Sequence, residues 1–324
     1  MEGKVSEKLE NEEFPYQLGK YIVQRQLGQG SEGSVYLAWD ETLHRQVAVK
    51  KVQVRHTCRN LDLPKMSMPE ADHLMQLKHP MLPAVYDLIR DGAWHLVMEY
   101  IQGVTLYDYI REKGYVGEEQ ALDWADQLLD VVEYLHTRKP PVIYRDLKPQ
   151  NIMVCTDAQL RLIDFGAACR RGFGMEAHDA MAVTPGYGAP EQFGRRRDFE
   201  QAEGIGVQES DSLAGWVHGH MGSGAYADER SDIYAIGKVL YYMVTGADPA
   251  KPPYASLPVR DYQPMLREGM EKMIRRCIRE NPKERYQIVD EIRRDLHRYG
   301  KSRGRFGHRS FIRIIEKRVW LTEM

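Results

Sequence analysis

The run Tyr144-Arg145-Asp146-Leu147-Lys148-Pro149-Gln150-Asn151 sets a carboxylate, an ammonium and a carboxamide within one short loop. Asp146 is suited to accept the proton of an attacking hydroxyl, Lys148 to reach a transferred phosphoryl group, and Asn151 to ligate a metal ion. Thirteen residues after Asn151 comes Asp164-Phe165-Gly166, behind the apolar run Leu160–Ile163. Asp164 would hold magnesium between phosphates, and Gly166 permits a sharp turn. Upstream, Gly28-Gln29-Gly30-Ser31-Glu32-Gly33-Ser34-Val35 spells G-x-G-x-x-G-x-V, followed by Val47-Ala48-Val49-Lys50. Glycines let a backbone approach a triphosphate without Cβ clashes, and Lys50 would neutralise its α- and β-phosphates. The chemistry such a set serves is metal-assisted transfer of a phosphoryl group to a hydroxyl.

The elements around these residues discriminate between readings. A dinucleotide-binding fold also uses a glycine-rich turn, but it needs a helix next and an acidic residue about 20 positions on. Here Ser34–Ala38 and Gln46–Lys50 read as strands, so with Tyr21–Val23 they predict three antiparallel strands carrying Lys50. A helix is expected around Glu70–Lys78, and two strands flank the hairpin signal Asp91-Gly92. After Gly103 the pattern turns helical, with Leu122, Ala125, Leu128, Leu129, Val132 and Leu135 forming one stripe of Glu118–His136. Ile233–Val244 and Met270–Ile278 predict further helices. The fold class is α+β: a β-rich part, then a larger helical part, joined near Glu99–Gly103.

Bulk properties exclude several classes. Of 324 residues, 43% are hydrophobic and 28% charged, and the net charge of −2 gives no bulk attraction to nucleic acid or membrane. No specific nucleic acid partner is expected. Cys58, Cys155, Cys169 and Cys277 are scattered, without zinc-ligand spacing, which suits reduced thiols and a cytoplasmic setting. The start of the chain lacks an apolar signal core, and no stretch reaches the roughly 20 apolar residues that span a bilayer.

The combination of Gly-rich loop, Val-Ala-Val-Lys, Arg-Asp-Leu-Lys-Pro-x-Asn, Asp-Phe-Gly and Ala189-Pro190-Glu191 resembles the eukaryotic-type protein kinases over residues 21 to 298. Asp228–Tyr234 and Asn281–Tyr286 are similar to the bacterial serine/threonine branch. The resemblance implies a bilobal protein kinase fold, a small β-rich N-lobe and a larger helical C-lobe with ATP in the cleft between. The implied division is a polar extension over 1–20, an N-lobe over 21–101, a C-lobe over 102–298 and a basic tail over 299–324. It implies ATP and magnesium, with manganese able to substitute, and protein substrates carrying Ser or Thr, the chain itself among them. Leu27, Gly28, Gly30, Gly33, Val35, Ala48 and Met153 would surround the nucleotide. Met98 resembles the gatekeeper, with the Glu99 carbonyl and the Ile101 N–H on the adenine edge. Glu70 would pair with Lys50, Thr184 would bridge Asp146 and Lys148, Glu191 would pair with Arg285, and Asp232 would brace the catalytic loop.

Departures from the family pattern sharpen the expectations. Tyr144 stands where histidine is commonest, and its ring would still pack beneath Phe165. Between Gly166 and Val183 there is no Ser, Thr or Tyr, so the phosphate that usually pairs with Arg145 has no acceptor, and Glu176 or Asp179 is a substitute candidate. Ser67-Met68-Pro69-Glu70 spells a capping box that competes for Glu70. Glu191 and Asp232 stand 41 residues apart, leaving an insertion at about 194–227 that holds Arg195-Arg196-Arg197. From Arg293 to Arg318 ten Lys/Arg face two acidic residues, with Phe306, Phe311 and Ile312 interleaved, which suits a helix lying on the body or a solvated tail, with weak attachment to an acidic membrane surface or nucleic acid as the alternative. The rival functional class is a pseudokinase-like nucleotide-binding signalling scaffold. It requires loss of Lys50, Asp146, Asn151 or Asp164, and all four are present.

Overall fold

The structure, a computed structural model, describes residues 13–30, 33–52, 76–170, 183–193, 227–251 and 256–300. The chain divides between Ile101 and Gln102 into two units.

The first unit holds a six-stranded antiparallel sheet in the order β1-β2-β3-β4-β6-β5. Its strands are Tyr16–Leu18 (β1), Tyr21–Gly30 (β2), Gly33–Asp40 (β3), Arg45–Val52 (β4), Val85–Asp91 (β5) and Ala93–Glu99 (β6). Side chains alternate along β4, so Val47 and Val49 enter one face while Ala48 and Lys50 enter the other. The first face buries Leu18, Tyr21, Val23, Tyr36, Ala38 and Val97 against the two valines. Burial of a valine- or leucine-sized chain contributes about 1.5–3 kcal/mol, which makes this cluster the sheet's anchor. The sheet also starts earlier than the expected boundary at residue 21. Gln17 pairs with Ile22 and Leu18 with Tyr21, and Gly19 turns the chain at φ +58°. Leu18 is 1% exposed, so β1 is part of the domain.

Gly92 closes the β5–β6 hairpin at φ +62°, the conformation its sequence predicts. Of the helix expected over Glu70–Lys78, only residues 76–78 are described, and they form a turn and loop.

The second unit is mainly helical. Its helices are Leu106–Lys113 (α1), Glu118–His136 (α2), Glu229–Thr245 (α3), Val259–Tyr262 (α4), Glu268–Cys277 (α5) and Val289–Gly300 (α6). Three short strands, Gly103–Thr105 (β7), Ile152–Cys155 (β9) and Leu160–Leu162 (β10), form a sheet in the order β10-β9-β7. Val142–Ile143 (β8) pairs with Cys169–Arg170 (β11). Helix α3 is buried at every position from Ser231 to Thr245, as befits a helix apolar on all sides, and it packs on α2 and α5. Asp228 caps its start by accepting from Arg230 N, and Gly246 ends it in the left-handed conformation. Arg293 of α6 reaches Asp126, Asp130 and Glu133 of α2, tying the last helix to the unit. Among the described residues no helix is long and apolar enough to cross a membrane. Cys155, Cys169 and Cys277 are free thiols.

Candidate active site

In the second unit the site is built from the loop after β8. Asp232, fully buried near the start of α3, receives the Tyr144 and Arg145 backbone N–H groups at 2.9 Å each. His136 Nε2, at the end of α2, meets the same carboxylate at 2.8 Å. A buried carboxylate needs such partners, and here they bind the loop to two helices. Arg145 has φ +66°, a left-handed conformation that costs a non-glycine residue about 1 kcal/mol or more. Its Nε donates to Ala167 O at 2.6 Å. Glu176 and Asp179, the candidate partners for Arg145, lie outside the described residues.

This loop brings the candidate groups together. Lys148 Nζ lies 2.6 Å from Asp146 Oδ2. Thr184 Oγ1 donates to Asp146 Oδ1 at 2.7 Å and accepts from Lys148 Nζ at 3.0 Å. A carboxylate, an ammonium and a hydroxyl thus close a triangle, although Thr184 is 38 residues from Asp146. Asn151 Nδ2 donates to both the Asp146 carbonyl and Asp146 Oδ2 at 3.0 Å. That fixes the amide so that its Oδ1 accepts no hydrogen bond among the described residues and remains a donor atom for a cation. Asp164 Oδ1 accepts from Gly166 N at 3.0 Å, and the Tyr144 hydroxyl donates to the Asp164 carbonyl. The Tyr144 and Phe165 rings meet edge-on, with centroids 5.1 Å apart. An amide oxygen and a carboxylate form a hard, oxygen-only pair, which suits magnesium with phosphates and water completing its shell.

The segment after Thr184 is anchored beneath. Gly186 has φ +85°, and a Cβ there would lie 2.1 Å from the Pro249 carbonyl oxygen, so only glycine fits. Tyr187 is buried and donates to Asp248 Oδ1 at 3.0 Å, and burial beside that carboxylate pushes its hydroxyl well above the usual phenol range. Glu191 and Arg285 form a buried two-pronged pair at 2.7 and 2.8 Å. Arg285 also donates to the carbonyls of Arg279, Glu280 and Arg230, which satisfies its remaining N–H groups. His136, Asp248 and Gln192, whose Nε2 donates to the Arg145 carbonyl at 3.0 Å, were not singled out from sequence. Gln192 directly follows Ala189-Pro190-Glu191, and that adjacency was the available signal.

In the first unit the strand register aligns the other candidates. Gly28 opposes Val35, Val35 opposes Lys50, and Lys50 opposes Leu96. Ala48 opposes Met98 one step along the same face. Lys50 is 8% exposed. Leu27 sits at a register shift and is 37% exposed. Among the described residues, a Cβ at Gly28 would meet nothing within 4 Å, so their packing does not require glycine there. Gly30 and Gly33 pair at the tip of this hairpin. Glu99 ends β6, with its N–H on Ala84 O at 2.8 Å, and Ile101 closes the unit. Met153 lies on β9 in the second unit, opposite Thr105 and Arg161. Glu70 lies outside the described residues.

Comparison with known proteins agrees with this geometry. The model of the protein kinase domain matches residues 21–205, more than half of the chain. The serine/threonine-protein kinase PrkC of Bacillus subtilis is 27% identical over 293 residues, covering 86% of this chain and 40% of that protein. A probable serine/threonine-protein kinase of Clostridium acetobutylicum is 30% identical over 290 residues, covering 86% and 39%. The chain therefore spans about two-fifths of the length of these curated relatives. The kinase domain of Mycobacterium tuberculosis PknI has the same fold, with a TM-score of 0.61 at 20% identity, covering 88% of this chain and 98% of that one. With more than half of its length matched, the chain belongs to the protein kinase domain family.

Proposed function

We propose that this chain transfers the γ-phosphoryl group of ATP to serine and threonine hydroxyls of proteins, itself included, with magnesium or manganese as the divalent ion. The observation that carries this reading is the closed triangle of Asp146, Lys148 and Thr184. In it Asp146 orients the attacking hydroxyl and takes up its proton. Lys148 neutralises charge on the phosphoryl oxygens during transfer, and Thr184 holds both side chains in register. Asn151 and Asp164 would hold the metal ion, whose charge offsets that of the phosphates. In the first unit Gly28, Gly30 and Gly33 give the phosphates access to backbone N–H groups, and Lys50, with Glu70 as its partner, pairs with the α- and β-phosphates. Leu27, Val35, Ala48, Met98 and Met153 supply apolar contacts to the base, and the Glu99 carbonyl and Ile101 N–H its polar edge. The functional boundaries are then an N-lobe over 16–101, with β1 included, a C-lobe over 102–298 with an insertion at about 194–227, and a basic tail over 299–324.

Retention of Lys50, Asp146, Asn151 and Asp164 argues against a nucleotide-binding scaffold without turnover. A cytoplasmic setting and weak contact of the basic tail with acidic membranes belong to the same proposal. Truncation at Gly300 tests the tail, with loss of binding to acidic liposomes as the supporting result. The decisive assay is incorporation of label from γ-labelled ATP into a generic protein substrate, comparing wild type with Asp164→Asn. The expected result is magnesium-dependent labelling by wild type alone, and no labelling by either protein would revive the scaffold reading.

A further inference from the structure

The carbonyl of Arg145, the residue directly before Asp146, is not left to solvent. Gln192 Nε2 donates to it at 3.0 Å, while Gln192 Oε1 accepts from the Ala189 N–H at 2.8 Å. The Gln192 N–H in turn donates to the Ala189 carbonyl at 2.9 Å. Gln192 is 9% exposed, and only one orientation of its amide satisfies both neighbours. The two peptide groups flanking Arg145 are therefore held from opposite sides, the N–H by Asp232 at 2.9 Å and the carbonyl by Gln192. A non-glycine residue at φ +66° persists only where its surroundings over-determine it. Asp146 follows immediately, so the plane of the Arg145 peptide sets the direction in which its carboxylate leaves the backbone.

We propose that Gln192 is a positioning residue for Asp146, an inference that rests on the phosphotransfer reading above. The segment from Thr184 to Gln192 is fastened to the catalytic loop at both ends. Thr184 meets the side chains of Asp146 and Lys148, and Gln192 meets the backbone just before Asp146. Both clasps use neutral side chains. The 167–183 stretch offers no hydroxyl for a phosphate, so these clasps supply without modification the link between the substrate-side segment and the base.

The test uses the full chain with Gln192→Glu and Gln192→Leu. Glutamate keeps the shape but turns an ionised oxygen toward the Arg145 carbonyl; leucine removes the donor at every pH. Each variant is expected to lower kcat about tenfold with KM for ATP unchanged. A carboxyl facing a carbonyl regains a donor when protonated, so the activity of Gln192→Glu relative to wild type rises as pH falls from about 8 to about 6. The same ratio for Gln192→Leu stays flat. Hydrogen exchange, which does not depend on turnover, is expected to speed up at residues 144–148 in both variants, with Glu229–Thr245 unchanged. Wild-type kcat in both variants, or unchanged exchange at 144–148, overturns the proposal while leaving the kinase reading intact. A wild-type chain without phosphotransfer overturns both.

Discussion

Thr184 donates its hydroxyl proton to Asp146 at 2.7 Å and takes one from Lys148 at 3.0 Å. Carboxylate and ammonium, which meet directly at 2.6 Å, are also bridged by a third group that comes from a different part of the chain. The catalytic loop is complete only when the segment around Thr184 is in place.

Removing the hydroxyl while keeping the shape isolates this role. Thr184→Val is expected to lower kcat about 10- to 100-fold with little change in KM for ATP, whereas Thr184→Ser stays within a few-fold of wild type. A phosphate on Oγ1 would also remove the proton donated to Asp146. Phosphopeptide mapping of active enzyme is therefore expected to find Thr184 unmodified, and a phosphate there that activity requires would refute this account.

The Glu191–Arg285 pair makes a stability prediction. Arg285 is 1% exposed, donates to three backbone carbonyls and to the Glu191 carboxylate, and lies over the Tyr234 ring. Arg285→Ala leaves a buried carboxylate without its cation and is expected to cost about 3–5 kcal/mol in urea unfolding. Arg285→Lys recovers little of this, because an ammonium does not reproduce the two-pronged geometry.

Two glycines are expected to behave in opposite ways. Gly186→Ala forces a Cβ into the Pro249 carbonyl at a left-handed φ, so it lowers both the melting temperature and activity. The Cβ of Gly28→Ala meets no atom of the described residues. Its melting temperature should match wild type, while KM for ATP rises about 3- to 10-fold if the nucleotide approaches that backbone.

Lys238 gives the chain a pH signature. It is buried in α3, and burial pulls its pKa from 10.5 down to about 8, against an opposing attraction from Glu280. Its ammonium donates to Ser256 Oγ at 2.8 Å. Below pH 8 the folded and unfolded states both hold the proton, and the cost of burying the charge is fully present. Between about 8 and 10.5 only the unfolded state keeps it, so stability from this group rises with pH. Buried tyrosines such as Tyr187 and Tyr234, pushed above the usual phenol range by burial, act in the opposite sense once unfolded phenols ionise near 10. The difference between wild type and Lys238→Met isolates the lysine. The advantage of Lys238→Met is expected to shrink by on the order of 1–3 kcal/mol from pH 8 to pH 10.

Much of this molecule is legible in its sequence, for physical reasons that differ by element. Helix Glu118–His136 repeats its apolar residues at helical spacing over five turns, and the structure has the same bounds. The helix expected over Ile233–Val244 extends to Glu229–Thr245, because Asp228 and Gly246 act as caps on either side of the apolar run. Strand Tyr16–Leu18 escapes such reading, since three residues show no period and only pairing with Tyr21–Val23 makes them a strand. In the site, Asp146, Lys148 and Asn151 are close in sequence and chemically loud. Gln192 and His136 act on backbone or on Asp232 across long separations, and neither residue type announces that task.

In the proposed mechanism Asp146 is the group that handles the proton of the acceptor hydroxyl. Asp146→Asn keeps the shape of the side chain and removes the base. Measured side by side for ATP binding by calorimetry and for γ-phosphoryl transfer, this variant is expected to bind ATP with magnesium as wild type does while kcat falls about 10²- to 10⁴-fold. Transfer at the wild-type rate by Asp146→Asn would rule out Asp146 as that group.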